Sequence, residues 1–317
     1  MRRYILQRLI LLGFTLLGMS VLVFLFVRLI PGNVIDVQVG TLMGITPEQL
    51  QGLREYYGLD QPLHVQYVRW IGALLQGDMG ISIRSGQPVV KEILARYPVT
   101  LELTLAATLV GLALGVPLGL ISALRRNEPV DILARFLALI GLALPHFWIG
   151  TLLVLFLSRT LFWMPNTASF VDFSTDPCMN LKQIFFPAVT LGVGMAAAVM
   201  RQTRSSMLDV LGQDYVRTAR GKGLSDRLVL LRHCLKNALI VVITVAGIQM
   251  GYLLGGSVVV EEVFSLPGIG RMMLNAILNR DYASVQAAGL VIALSFAFIN
   301  LITDLAYGLV DPRIRYE

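Results

Sequence analysis

The side chains with chemistry to offer are few and scattered. His64, His146 and His233 fall in a polar loop, an apolar span and a basic loop, so no shared metal or catalytic site is expected from them. Cys178 and Cys234 are too few for a disulfide framework, and the topology derived below puts them on opposite sides of a membrane. Gly221-Lys222-Gly223 lacks the spacing and the hydroxyl of a phosphate-binding loop. The chain is therefore read as no enzyme, with no catalytic residues and no cofactor or metal bound by its own side chains. What remains is the stretch Asp214–Leu224, a short basic segment in a long polar gap. Asp214 suits a helix N-cap, and Gly221 and Gly223 suit its end, for a helix of about two turns. Ala219 and Gly223 lie four apart as a small-residue patch, with Arg217, Arg220 and Lys222 supplying positive charge around it. Such a patch suits close packing by another protein; the alternative is an ordinary solvated basic loop.

The elements that position this stretch follow from composition. The chain has 317 residues, 56% hydrophobic and 15% charged, with net charge +6 and mean hydropathy +0.70. A soluble domain carries nearer a quarter charged residues, so an all-α polytopic membrane protein is expected. Apolar runs at 9–30, 100–124, 132–157, 186–200, 238–260 and 285–309 give about six transmembrane helices. The first follows Arg2, Arg3 and Arg8; it is too long for a cleaved signal peptide, no small-x-small site follows it, and it is read as a retained helix. Arg125 and Arg126, then the arginines and lysines from Arg201 to Lys236, then Arg313 and Arg315 fall on the side of the N-terminus. That bias predicts both termini in the cytoplasm. A basic helix-turn-helix look at 217–236 is set aside: apolar spans pin it to the membrane surface and no recognition set accompanies it, so no nucleic-acid partner is expected.

Between the first two spans, Thr46-Pro47-Glu48-Gln49 reads as a capping box of a helix closed by Gly58. A second amphipathic piece carries Tyr67, Ile71 and Leu74 on one face. Together they predict a small extracytoplasmic layer resting on the outer helix ends. Gly111, Gly115 and Gly119, and again Gly247, Gly251 and Gly255, form ridges suited to close helix contact in lipid. The last span bears a small and polar stripe, Gln286, Gly289, Ala293, Ala297, Asn300 and Asp304, which is expected to face the bundle or a wet pathway. Candidate pathway residues are Asn300 and Asp304, with His146 and Gln249 behind them.

Arg217-Thr218-Ala219-Arg220-Gly221-Lys222-Gly223 resembles the cytoplasmic EAA loop of type I (MetI-like) ABC importer permeases, in the form of the peptide/nickel branch. Arg217 and Thr218 replace the usual Glu-Ala, while Ala219 and Gly223 keep the spacing; downstream, His233 and Lys236 stand for the usual Ile and Pro. The resemblance runs nearly end to end, through Tyr57–Leu63, Gly77–Gly80, Gly255–Ser257, Val260-Glu261, Phe264, Pro267–Gly270, Arg280–Tyr282 and Asp311–Tyr316. Within that branch it resembles the dipeptide/oligopeptide permease B subunits. It implies a MetI-like core at 99–309, with a cytoplasmic coupling loop at 201–237. Before it would lie an N-terminal helix and extracytoplasmic segment at 1–98, and after it a tail at 310–317. The implied partners are a second homologous permease, two cytoplasmic ATPase subunits carrying ATP and Mg, an extracytoplasmic solute-binding protein, and membrane lipid. The implied location is a bacterial or archaeal plasma membrane. Asp214, Tyr215, Arg217, Thr218, Ala219, Arg220, Lys222 and Gly223 would sit in a groove on an ATPase, and Glu261, Pro267, Gly268 and Gly270 would gate the outer side or contact the binding protein. Alternating access would then carry the solute. A di- or oligopeptide is the first expectation for cargo, with nickel chelates and glutathione-like molecules as alternatives from the same branch. A secondary transporter subunit working without an ATPase is the rival class, and the mid-membrane carboxylate it would need has only weak candidates in Glu102 and Asp304.

Overall fold

The computed structural model describes residues 2–29, 60–165 and 170–310. The capping box at Thr46 and the tail from Asp311 lie outside the described residues. In chain order the helices are α1 (Arg2–Leu29), α2 (Leu63–Leu75), α3 (Val89–Leu124), α4 (Pro129–Ala143), α5 (His146–Thr160) and α6 (Pro177–Leu211). Then come α7 (Asp214–Gly221), α8 (Asp226–Gly256, with a π-helical stretch at Val229–Leu235), α9 (Val258–Val263), α10 (Ile269–Leu278) and α11 (Tyr282–Val310). No strand is present among the described residues; the one bridge is Ile81 with Pro88.

The central pair is α3 and α6, and glycines decide how close they come. A Cβ added to Gly111, Gly115 or Gly119 would lie 2.6–2.7 Å from the nearest atom of Met195, Val199, Ala196, Met200 or Thr203 on α6. The contact is reciprocal, because a Cβ at Gly192 would meet Val110 at 2.7 Å. Lipid supplies no hydrophobic force between helices, so backbones that approach this closely gain dispersion contact that bulkier residues would forfeit. The second ridge packs on α11: Gly247 faces Thr303 and Gly251 faces Phe296, whereas among the described residues a Cβ at Gly255 would meet only Ile292, at 4.0 Å.

Contacting positions on α3 and α6 rise together along both chains, so the two helices run parallel. The chain leaves α3 at one end of the bundle and enters α6 at the other, so whatever lies between must cross back. That segment, expected as one continuous span at 132–157, is instead two helices, α4 and α5, bent by 99°. The break sits at Leu144-Pro145, where Leu144 is extended at φ −81° and ψ 129°. Proline withholds an N–H and drives the residue before it out of the helical region. Counted as one crossing, the bent pair brings the spans among the described residues to six.

The second crossing begins at Val89, not Thr100, so the boundary drawn at residue 98 falls inside α3. Pro98 and Pro117 are accommodated within this helix. At 36 residues α3 is about 54 Å long, well beyond a hydrocarbon thickness of about 30 Å. Its Val89 end packs with Ile93 against Ile269, Met272, Ala287 and Ala288 of α10 and α11. α1 lies antiparallel to α11: Val27 meets Val285, and Arg8 pairs with Asp304 at 2.8 Å. α2 folds back onto the far end of α1 as its apolar stripe anticipated, with Tyr67 edge-on to Phe24 and its hydroxyl 2.8 Å from Ser20 Oγ. Arg28 donates Nε and Nη2 to Gln66 Oε1 at 3.0 and 2.9 Å.

A candidate coupling surface at one end of the bundle

α7 is held by a small apolar cluster at the end of the bundle. Val216 and Ala219 are buried with Ala123 of α3, Met207 of α6, and Val229, Cys234 and Ala238 of α8. Ala219 therefore does not offer a patch to another protein; it faces the chain's own core, and the expectation for it is corrected. The outward face carries Asp214, Tyr215, Arg217, Thr218, Arg220 and Lys222, all exposed. The cap also differs from expectation, since Gln213 occupies the N-cap without a side-chain bond and Asp214 is the first helical residue. At the other end Gly223, at φ +80°, closes a Schellman turn: Leu224 N–H donates to Ala219 O at 3.4 Å and Gly223 N–H to Arg220 O at 2.9 Å. Among the described residues a Cβ on Gly223 would meet no atom within 4 Å, so it is glycine for its backbone conformation rather than for close approach.

Further bonds fix α7 against α8. Asn237 Nδ2 donates to Tyr215 Oη at 3.0 Å and to His233 O at 2.8 Å, across the π-helical stretch. Arg220 reaches Asp226 at 3.1 Å and Arg217 reaches Asp214 at 3.7 Å. Both pairs are solvent-exposed and worth little for stability. The result is a stiff basic surface seated on the ends of three long helices.

The pathway candidates divide. Asn300 and Asp304 come together in a cavity of about 140 Å³ between α11 and α1, with Arg8 and Thr15 opposite. His146 is elsewhere, its ring lying where Gly194 of α6 leaves room for it. Gln249 is half-buried on α8. The polar stripe of α11 thus meets α1 over part of its length, with Gly289 against Val23 and Asp304 against Arg8.

At the opposite end from α7, Glu261 is fully buried and accepts hydrogen bonds from three sides. Thr100 Oγ1 and Ser257 Oγ donate to Oε1 at 2.8 and 2.9 Å, and Arg271 N–H donates to Oε2 at 2.8 Å. The carboxylate so caps the start of α10 and ties it to α3 and α9. Burial pushes the Glu261 carboxyl up, and its hydrogen-bond donors pull it partly back. Gly268 and Gly270 leave it room: a Cβ at Gly268 would come 2.3 Å from the carboxyl, and one at Gly270 2.9 Å. Glu261, sealed inside the chain, presents no surface to a binding protein; its expected contact is corrected to an internal clasp. Pro267 and Gly268 do line an open cavity of about 450 Å³, with Arg84, Arg96, Arg271 and Asn275.

Residues 115–316 match the family described as the binding-protein-dependent transport system inner membrane component, and residues 1–104 match the N-terminal region of such membrane components. The chain belongs to this family. End to end, the permease is 42% identical to the glutathione transport system permease protein GsiC of Salmonella paratyphi A, over 317 residues and all of both chains. It is 38% identical to the dipeptide transport system permease protein DppB of Escherichia coli K12, over 346 aligned positions and again all of both chains. These place it in the peptide/nickel branch of ABC permeases. Among solved structures, the inward-facing MetNI methionine ABC transporter aligns with a TM-score of 0.56 at 17% identity, covering 69% of the permease and 96% of that chain. At that identity the likeness speaks for the fold, a MetI-like helical core.

One group in the permease escaped the sequence reading. Asp131, at the start of α4, is buried and gripped by Arg204 of α6. In the sequence Arg204 counts only among the positive-inside charges, and Asp131 falls just before the apolar run at 132–157. A carboxylate one residue after Pro129-Val130 at a span's edge was the available signal.

Proposed function

We propose that this permease forms, with a second homologous permease, an alternating-access pathway for a small peptide, and that α7 is where ATPase subunits drive it. The observation that carries the reading is α7 itself: a basic, outward-facing helix whose inner face is packed on the ends of α3, α6 and α8. A rigid helix so seated can pass a displacement to all three spans at once, which a solvated loop cannot. ATP and Mg belong on two separate cytoplasmic ATPase chains, and the solute arrives from an extracytoplasmic binding protein. The α7 end is cytoplasmic, with both termini on that side, and the Glu261 clasp faces outward. The coupling surface consists of Asp214, Tyr215, Arg217, Thr218, Arg220 and Lys222, with Gly223 shaping its end. The residues ahead of α3 act as an accessory helix and outer segment, α3 to α11 as the transport core, and the residues after Val310 as a tail.

The glutathione and dipeptide permeases among its relatives support a di- or oligopeptide as cargo, with glutathione as the alternative. Site-specific photocrosslinking from position 218 or 222 in native membranes tests the coupling. An ATP-sensitive adduct with an ATPase subunit is expected. Adducts with lipid alone would return α7 to a basic loop and favour a transporter that needs no ATPase. Uptake of labelled glutathione against labelled dipeptides in cells lacking other importers identifies the cargo.

A further inference from the structure

Behind the coupling surface sits an ion pair that the fold has no need to make charged. Asp131 opens α4 and is fully buried. Arg204 of α6 holds it with both prongs, Nε to Oδ1 at 2.7 Å and Nη2 to Oδ2 at 2.9 Å. Ser122 of α3 donates its hydroxyl to Oδ1, and the backbone N–H of Asn127 donates to Oδ2 at 2.9 Å. Asn127 has φ +65°, so the turn from α3 into α4 is pinned in a left-handed form by the same carboxylate. Arg135, on the exposed side, stands 3.4 Å from Oδ1.

Well-packed apolar residues would hold these helices together as strongly as a buried ion pair, or more so. What a forked pair adds is geometry: it fixes the register of α4 against α6 and tolerates few other arrangements. The helices α3 and α6 that hold the carboxylate also reach the α7 seat. Met207, three residues beyond Arg204, and Ala123, next to Ser122, are buried in one cluster with Val216 and Ala219 of α7. On its other side α4 ends at the 99° break before α5, so it can turn as a unit without dragging α5 rigidly along.

From this geometry we infer that Asp131 and Arg204 are positioning residues for coupled transport: the joint through which movement of α7 turns α4, with the Pro145 break as the hinge at its far end. The inference rests on the reading of α7 as the ATPase-coupling helix. The test uses the complete importer in proteoliposomes and reads solute uptake per ATP hydrolysed. In the double variant Asp131→Leu with Arg204→Met, the complex assembles and hydrolyses ATP, and uptake per ATP falls about tenfold, within the usual range of coupling between sites. Arg204→Lys keeps the charge but loses the fork, and it falls partway. Uptake per ATP equal to wild type in either variant overturns the joint and leaves the pair as packing. Should the double variant fail to assemble, Arg204→Lys decides alone. Failure of the wild-type chain to copurify with any ATPase would overturn the underlying reading of α7 instead, so the two failures are distinguishable.

Discussion

Single residues set the turn that ends α7 and the clasp that starts α10. Gly223 at φ +80° is the clearest case, since any L side chain there carries strain of about 1–2 kcal/mol without touching a neighbour. Gly223→Val is expected to leave the bundle folded and lower uptake per ATP; unchanged uptake would show that the Schellman turn does not matter to coupling. Gly268 is glycine for the opposite reason, lack of space. Gly268→Ala drives a methyl into the Glu261 carboxylate, an overpacking cost of about 1–3 kcal/mol, and should lower the melting temperature in detergent by several degrees. Glu261 also gives a pH dependence. Its folded carboxyl is pushed up by burial, so the folded state binds a proton more tightly than the unfolded chain does. That contribution to stability is fully present below the unfolded pKa and is lost as pH rises through the folded one. Melting temperature should therefore fall as pH rises above the ordinary glutamate range, and Glu261→Gln should flatten the trend. An equally steep trend in that variant would place the titration elsewhere.

Elements are governed by how closely helices approach. The ridge of α8 offers an internal comparison: Gly251→Leu collides with Phe296, where a Cβ alone already comes to 2.7 Å, whereas Gly255 faces Ile292 at 4.0 Å. Gly251→Leu is expected to abolish assembly and Gly255→Leu to be tolerated, read as monodisperse yield from detergent. Equal outcomes would mean that α8 and α11 do not meet along this ridge. Most of this scale was legible in the sequence, because a four-residue glycine spacing has one geometric use in lipid. The break in α4–α5 was not read, although Pro145 was visible. A proline in an apolar span is often accommodated, as Pro98 and Pro117 are in α3, and whether it bends or breaks depends on what the neighbouring helices can re-satisfy.

At the scale of the whole molecule, parallel α3 and α6 require the broken pair to cross between them, so the described ends of α1 and α11 lie at the α7 end. Cys178 and Cys234 report the orientation. Cys178 is exposed at the start of α6, away from α7, and Cys234 is buried beside it. A membrane-impermeant maleimide added to intact spheroplasts should label Cys178 and spare Cys234. If Cys178 is labelled only after lysis, the topology is inverted.

The sequence by itself determined the class of molecule, the number of spans, the glycine ridges and the position of α7, because each rests on a local property: apolar length, residue size, or charge placed along the chain. Tertiary structure alone decided which way the residues of α7 face. Ala219 and Thr218 are neighbours in sequence, yet one is sealed against Met207 and the other stands in solvent. It alone also joined Asp131 to Arg204, residues 73 apart along the chain, and Glu261 to Thr100, residues 161 apart. A buried charge is stable only where its partners converge, and that convergence is set by how the helices pack, not by anything either residue carries in its own stretch of chain.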